Sequence, residues 1–491
     1  MEHEDAFRAV KLPFPPQEYL CTWKLPDIRL KNNEDRQGEG SDGGVVEANG
    51  VLDLTAGRHP HGSFYGKLPI LWEGDSGEFP QINDFDCLIG RLSSGAYFAL
   101  MNGQYSYYWM PGHGYVNGAF ATLSRKPFKR NEYRTYRSIE LQLEGLDEII
   151  DVNPAEIEVT SGEKSIFSVT CNDECWEWES GGTSMKLCFA GRTQPDPFNF
   201  SMRLAPVLRI DIGIPLNMVD WWQCWIVPLQ ELIAAVIGRT PDVMYVLAIA
   251  GRTPKRKREW KDQIFSWDIK QECLYPDVDK LKKSKPAIRI QEDKVNLLSL
   301  LMRWQGLQSS HHPLVETFES MALSSEQHPR SRFLLLIQAL EGLYGFEHQE
   351  EQYERRQAYK NERREFLDRM NKIIAEDDRQ FLSENLLRNP YVSLESALIA
   401  IFNGFSASVR EEIDAAPLVK KVREAEANQH MRVEAVLAKV RNKLSHGATN
   451  YEPDDLDGVA AILDRVVRSE LLRVLEAPES CRKRLLSNRE K

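Results

Sequence analysis

The sequence predicts an α+β multidomain protein, with an antiparallel β-rich N-terminal domain followed by an all-α helical bundle. Up to about residue 217, short runs of β-forming residues alternate with Gly and Pro. Residues 218–291 have a mixed texture, and from 292 to 491 apolar residues recur at three- and four-residue spacing. We therefore predict a sandwich- or barrel-like domain over 1–217, a mixed α/β extension of it over 218–291, and a helical domain over 292–491.

Composition limits the classes of protein that this chain can belong to. The 491 residues exceed one ordinary hydrophobic core, so two or three domains are expected. No signal peptide is visible in Met1 to Pro16, and the apolar runs are too short for a membrane span. We expect a cytoplasmic protein. The net charge of −11 argues against coating nucleic acid by bulk electrostatics. Residues 331–491 hold 26 basic and 28 acidic residues, so the acidic excess belongs to the N-terminal part.

The β-rich region begins with two predicted strands, Cys21 to Leu25 and Gly50 to Leu54. The polar, Gly-rich residues 30–50 between them have almost nothing to bury, which predicts a loop. Later runs also alternate with turn signals: Tyr97–Leu100, Ser138–Leu143, Ile157–Val159, Lys186–Phe189 and Val207–Ile212. This pattern favours an antiparallel sandwich or barrel over βαβ units.

The next segments are predicted from periodicity. Trp225 to Ile237 has the pattern of an amphipathic helix, Val243 to Ile249 that of a buried strand, and Lys255 to Arg258 that of an exposed loop. Further on, the predicted helices are Val295–Trp304, Arg332–Tyr344, Glu354–Ala375, Leu394–Ile401, Val419–Ser445 and Leu456–Glu476. They predict a bundle of five or six helices.

Metal-binding patterns in the sequence are weak. Cys171 and Cys175 lie close together, and Cys188 is the nearest further thiol, but a structural zinc site needs four ligands. His59 and His61 flank a proline in a turn-like stretch. We predict neither a metal nor a cofactor, and we expect the eight cysteines to be reduced thiols.

The residues best suited to chemistry lie where the helix over 431–445 ends. Arg441 and His446 enclose four residues and are followed by Gly447. Residues five apart on an ideal helix diverge by about 140°, but termination at Gly447 would let the imidazole turn toward the guanidinium. Together they would offer a titratable group and a fixed cation for a phosphate. A histidine beside a helix dipole and a C-terminal glycine also have a purely structural explanation.

This pattern, Arg441 with Asn442 after it and His446 at the helix end, resembles the signature of HEPN domains. The helix beginning Arg332-Phe333-Leu334-Leu335-Leu336 is similar to an early HEPN helix in ApeA-like proteins. Those are bacterial anti-phage proteins that pair a β-rich N-terminal domain with a C-terminal HEPN domain. The resemblance extends loosely over most of the chain and is sharpest at 332–345 and 433–447.

The resemblance implies a metal-independent endoribonuclease that needs no cofactor. In that chemistry the 2′-hydroxyl of the RNA attacks the adjacent phosphorus and leaves a 2′,3′-cyclic phosphate. His446 would transfer protons, Arg441 would stabilise the charge on the phosphate, and Asn442 would orient either group. The resemblance further implies a homodimer that combines two motifs in one cleft, and a β-rich domain that senses a phage-derived trigger or restrains the nuclease. Glu341 either pairs with a motif arginine or serves an ordinary surface or capping role.

Three alternatives accompany this interpretation. Arg423 and His430 enclose six residues and match the same pattern, but they lack the asparagine and lie in a highly charged stretch. A non-catalytic HEPN module would bind nucleotide or RNA without cutting it. A β-sandwich that binds carbohydrate or protein, joined to a helical dimerisation domain, is the third alternative.

Overall fold

The computed structural model describes residues 10–26, 45–66, 81–108, 112–129, 133–152, 154–160, 166–171, 175–195, 200–252, 259–322, 327–370, 372–386, 393–447 and 451–487. The chain forms two compact units. One comprises residues 1–233 and 241–299, and the other comprises residues 234–240 and 300–491.

The first unit contains all the strands of the described residues. They are β1 (Glu18–Pro26), β2 (Val45–Asp53), β3 (His61–Tyr65), β4 (Gln81–Leu92), β5 (Tyr97–Tyr108), β6 (His113–Ser124), β7 (Tyr136–Leu143), β8 (Ala155–Thr160), β9 (Ile166–Cys171), β10 (Trp176–Ser180), β11 (Thr183–Pro195), β12 (Phe200–Leu216), β13 (Val243–Arg252) and β14 (Glu259–Phe265). Every pairing between these strands is antiparallel, which confirms the predicted fold class.

Six strands close into a ring, because β6 pairs with β5 on one side and with β3 on the other. The ring runs β1, β2, β3, β6, β5, β4 and back to β1. Trp23 and Phe98 are fully buried inside it, with their rings edge to face at 4.8 Å between centroids. Trp23 Nε1 donates a hydrogen bond to the Ser63 carbonyl at 3.0 Å, which satisfies the indole in an apolar core.

The other strands extend the same sheet from β6 in the order β14, β13, β7, β12, β11 and β10, while β8 and β9 form a separate hairpin. The predicted strand at Val243 to Ile249 is confirmed as β13, and it is almost wholly buried. The predicted loop over 30–50 extended too far toward its C-terminal end, because residues from Val45 onward belong to β2. Residues 27–44 and the basic run 255–258 lie outside the described residues.

The helices follow the predicted order but are more numerous. They are α1 (Leu146–Ile150), α2 (Met218–Trp221), a π-helical turn (Trp222–Ile226), α3 (Val227–Ile237), α4 (Val278–Lys283), α5 (Ile290–Asp293), α6 (Leu297–Ser309), α7 (Pro313–Ala322), α8 (Pro329–Glu347), α9 (Gln349–Met370), α10 (Glu376–Asn385), α11 (Leu394–Asn403), α12 (Ala407–Ala415), α13 (Pro417–Ala425), α14 (Val433–Ser445), α15 (Pro453–Val474) and α16 (Glu479–Ser487). No described helix combines the length and apolarity that crossing a membrane requires.

The prediction of five or six helices was wrong, since α6 to α16 make eleven within the described residues. The single helix predicted over Val419 to Ser445 is two helices, α13 and α14. The chain breaks between them because Ala427 has a left-handed backbone with φ of 51°. Arg423 donates hydrogen bonds to the Met431 carbonyl from Nε at 2.9 Å and from Nη2 at 2.7 Å, and these bonds hold the turn closed.

The core of the second unit forms where α8, α14 and α15 each bury one face. On α14 the buried apolar residues are Val433, Val436, Leu437, Val440 and Leu444, as their spacing predicts. On α8 they include Phe333, Leu336, Ile337 and Leu340. These stripes determine which residues of α8 and α14 remain accessible, and the candidate site lies among those.

Candidate active site

Arg441 occupies the edge of the buried stripe of α14. It follows Val440, which is fully buried, and its own side chain is 35% exposed. The guanidinium Nη2 donates to Glu341 Oε2 at 3.0 Å, and Nη1 donates to the Asn442 side-chain oxygen at 3.3 Å. Glu341 projects from α8, so two helices fix the direction of one cation. The pairing with a motif arginine, which the sequence left open for Glu341, is thus the one observed.

Asn442 is exposed at the surface, and its amide is already oriented by Arg441. Two of the five N–H donors of Arg441 are used by Glu341 and Asn442 in the described residues. The other donors are chemically able to bind an oxyanion in a fork geometry. Arg441 and Asn442 therefore form one polar unit that is held in place and accessible.

His446 is the C-cap of α14, and Gly447 follows it with φ of 67°. The backbone N–H of His446 donates to the Asn442 carbonyl at 3.1 Å, and that of Gly447 donates to the Leu444 carbonyl at 3.2 Å. Gly447 therefore ends the helix as predicted, since a left-handed residue after a helix favours glycine. The His446 side chain is exposed rather than packed in the core.

Arg330, which belongs to α8, caps the C-terminal end of α14. Its Nη2 donates to the Leu444 carbonyl, one of the acceptors that a helix leaves unsatisfied at its C-terminus. The sequence pattern did not predict a role for Arg330. A signal was available, because a cation in the first turn of α8 opposes that helix's own dipole and needs another reason to be there.

A lysine pair on α14 shares one acid. Lys443 Nζ lies 2.8 Å from Glu426 Oε1, and Lys439 Nζ contacts the other oxygen of the same carboxylate. The Lys439 and Lys443 ammonium groups hold the pKa of Glu426 below its usual range. Like charges four residues apart on a helix repel each other, so the spacing of these lysines could have indicated an acidic partner. Both cations are thereby engaged beside the motif.

The structure joins two of the three predicted residues and leaves the third apart. Arg441 and Asn442 are hydrogen bonded. Within the part of the chain that the structure describes, the His446 imidazole forms no hydrogen bond or ion pair, including none with Arg441. An exposed imidazole at a helix end can exchange protons with solvent or with a ligand. A single chain thus presents a fixed cation and a separate proton carrier.

The second matching pair, Arg423 and His430, is differently placed. Arg423 is bound to Asp414 at 2.6 Å and to the Met431 carbonyl, so it stabilises the turn between α13 and α14. His430 is exposed in that turn. The Arg423 side chain is 14% exposed, against 35% for Arg441, so Arg423 is less accessible to a phosphate, which supports the choice of Arg441.

The other candidate residues have structural roles in the first unit. His61 lies 3.4 Å from Asp53, and the ring of His59 packs against Trp267 at 5.8 Å between centroids. Trp221 and Trp222 are buried and belong to the core. The Cys171 side chain lies outside the described residues. In the rest of the chain as described, no group of three or more potential metal ligands occurs.

Comparisons with protein-family models, with curated proteins and with solved structures found no match for this chain. Its function must therefore be inferred from its own residues and from the motif that they form.

Proposed function

We propose that the chain is an HEPN-type endoribonuclease that cuts cellular RNA, such as tRNA, in anti-phage defence. The observation that supports this most is the oriented, accessible Arg441–Asn442 unit one helical turn before an exposed His446. A guanidinium fixed by hydrogen bonds is suited to the planar oxygens of a phosphodiester. An imidazole titrates near neutral pH and is suited to moving the protons of the reaction.

The proposed reaction uses the substrate's own nucleophile. The RNA 2′-hydroxyl loses its proton to an imidazole and attacks the adjacent phosphorus, while the 5′-oxygen leaves and takes a proton. The products are a 2′,3′-cyclic phosphate and a 5′-hydroxyl. Arg441 would stabilise the charge that develops on the non-bridging oxygens, and Asn442 would orient the phosphate or the imidazole. The reaction as proposed requires neither a metal nor a cofactor.

Two proton transfers require two acid–base groups, and each motif supplies one imidazole. A homodimer in which His446 and Arg441 of both subunits face one cleft would meet this requirement. The β-rich domain would then sense a phage-derived trigger or keep the nuclease inactive, in keeping with a cytoplasmic protein that must not damage its host. These roles follow from the resemblance to ApeA-like proteins.

The test is RNA cleavage by purified full-length chains, with mapping of the ends produced. We expect His446→Ala and Arg441→Ala to lower the cleavage rate by about 100-fold or more, since each removes a group that acts in the transition state. His430→Ala is the matched control, because it removes an exposed histidine of the same unit. Wild-type cleavage by His446→Ala, or products without cyclic phosphates, would exclude the proposed mechanism.

A second function is favoured by one observation. Within the described residues the His446 imidazole is not joined to Arg441, and a fixed cation without a proton carrier beside it can bind a phosphate without cutting RNA. In that case Arg441→Ala would weaken RNA binding, while no variant, the wild type included, would generate new RNA ends. The same assay therefore separates the two functions.

A further inference from the structure

Two cysteines face each other at the edge of the large sheet. In the β10–β11 pairing, Trp176 lies opposite Leu187. Cys175 immediately precedes β10, and continuing the same register by one residue would bring it opposite Cys188. Opposite residues in an antiparallel pair have Cα atoms about 4.5–5.5 Å apart, within the range of about 4.4–6.8 Å that a disulfide spans. A register continued in this way would bring the two residues within the separation that a disulfide spans.

The side chains are thiols and are in contact. Cys175 is exposed, and Cys188 is half-buried. The hydrogen bond with the Cys175 thiol raises the pKa of Cys188, and burial raises it further. Lys186, on the same face, has the opposite effect on that pKa, while Glu140 adds to the rise. Cys175 is thus the accessible sulfur, and Cys188 is the sulfur within its reach.

We propose that Cys175 and Cys188 form a reversible oxidation site, which closes into a cross-strand disulfide when the chain meets a low-molecular-weight disulfide. The Cys175 thiolate attacks one sulfur of glutathione disulfide, whose S–S bond breaks and releases one glutathione. The Cys188 thiolate then attacks the Cys175 sulfur and expels the second glutathione. The two cysteine protons end on the two glutathione thiols, so the protein is oxidised and glutathione is reduced.

Other described cysteines are less suited to this chemistry. Cys21 lies opposite Gly50 and Leu92 in the sheet, and Cys87 lies opposite Met101, so neither thiol faces a second cysteine across a strand pair. Cys224 is exposed, but it belongs to the π-helical turn and not to the β10–β11 strand pair. The oxidation should therefore be selective for the facing pair.

The disulfide would cross-link the chain at the β10–β11 edge of the large sheet. β10 is the terminal strand of the large sheet, so one of its sides has no neighbouring strand among the residues that the structure describes. A bond between Cys175 and Cys188 would enclose the whole β10–β11 turn and restrain fraying of that edge. The amide hydrogens of β10 should then exchange at least about threefold more slowly in the oxidised chain.

The experiment equilibrates the full-length chain with mixtures of reduced and oxidised glutathione, then traps remaining thiols and measures intact and peptide masses. We expect the wild type to lose two hydrogen atoms and to yield a linked peptide pair containing Cys175 and Cys188. Cys175→Ser should abolish the link, Cys188→Ser should leave only a glutathione adduct on Cys175, and Cys224→Ser should behave as wild type.

Three outcomes would overturn the proposal. They are a glutathione adduct on wild-type Cys175 that never resolves, a link that survives Cys188→Ser, and a link that joins Cys188 to a cysteine other than Cys175. Because Cys175 is exposed, Cys175→Ser is expected to fold and keeps the test decisive if Cys188→Ser does not. The readout is mass and amide exchange, so it is independent of RNA cleavage.

Discussion

The ion pair between Arg441 and Glu341 illustrates how one residue can matter for geometry more than for stability. Both side chains are partly exposed, at 35% and 41%, so solvent screens their attraction. Exposed pairs of this kind contribute about 0.2–1 kcal/mol to folding. What the carboxylate supplies is direction, because it holds the guanidinium against α8 while Asn442 holds its other edge.

Glu341→Ala should therefore change the free energy of unfolding by less than about 1 kcal/mol and slow RNA cleavage by about tenfold, because Arg441 loses its orientation. Glu341→Gln keeps an acceptor for Arg441 and should restore most of the rate. Glu347→Ala, which removes an ion pair with Arg473 at the other end of α8, is the control. Equal slowing by Glu347→Ala would contradict a specific role for Glu341.

A buried histidine makes stability sensitive to pH. His312 is only 3% exposed, and its ring packs against Phe346 at 4.5 Å between centroids. Burial lowers the pKa of His312 below its usual 6.5, with Arg473 also lowering it and Glu347 opposing the change. The unfolded chain then binds a proton more readily than the folded chain. Stability is therefore fully present above pH 6.5 and is lost as the pH falls through the lower folded pKa.

His312→Gln should reduce this loss of stability between about pH 7.5 and about pH 5.5, as measured by urea unfolding at each pH. His311→Gln is the matched control, because its side chain is 83% exposed. An unchanged pH dependence in His312→Gln would show that protonation of His312 does not destabilise the fold.

At the scale of elements, two helix ends of the second unit are satisfied by arginines from other helices. Arg330 binds the Leu444 carbonyl at the end of α14. Arg468 is buried and donates to the Ala235 and Val236 carbonyls at 2.7 and 3.0 Å. A helix leaves its last carbonyls without partners, and a guanidinium can satisfy such carbonyls while opposing the negative end of the dipole.

Two glycines in exposed positions should respond oppositely to the same substitution. An added Cβ would meet nothing within 4 Å at Gly447 or at Gly458, so packing does not decide either outcome. Gly447→Ala should destabilise by about 1–2 kcal/mol, because φ of 67° is strained for alanine. Gly458→Ala, inside α15, should stabilise by up to about 1 kcal/mol. Thermal unfolding of both variants is the measurement, and destabilisation of similar size in both would contradict the argument.

Element types were largely predictable because each depends on neighbours along the chain. The period of the apolar residues on α14 and the glycine after it are local features, and both predictions were confirmed. The break between α13 and α14 was not predicted. It depends on Arg423 folding back to Met431, a contact that hydrophobic periodicity does not reveal. The charged α9, with no buried residue, was predicted from the same periodicity but ended earlier than expected.

For the whole molecule, the net charge of −11 means that the proposed RNA substrate would be repelled overall and would have to be held by local cations. Lys439 and Lys443 are engaged by Glu426, so Arg441 is the cation best placed for a phosphate at the motif. One such cation per chain would give the proposed RNA substrate a modest affinity. Two copies of the motif would double the cations and supply the second imidazole.

Dimerisation should therefore appear in the kinetics. Cleavage per chain should rise with protein concentration and then level off, because the proposed site needs two subunits. Excess His446→Ala added to a fixed amount of wild type should lower the cleavage rate. Most wild-type chains would then be in mixed dimers, and a mixed dimer has only one His446 imidazole. Excess His430→Ala serves as the control. A rate per chain that stays constant down to concentrations where the chain is monomeric would contradict a shared site.

The sequence by itself determined the fold class, the type of the elements that it identified, and the buried face and ending of α14, since each follows from residues a few positions apart. Only the tertiary structure decided that six strands close into a ring, that Glu341 orients Arg441, and that Arg330 caps the motif helix. The last two contacts join residues 100 and 114 positions apart. Such contacts depend on how the chain packs in three dimensions, which local periodicity does not specify.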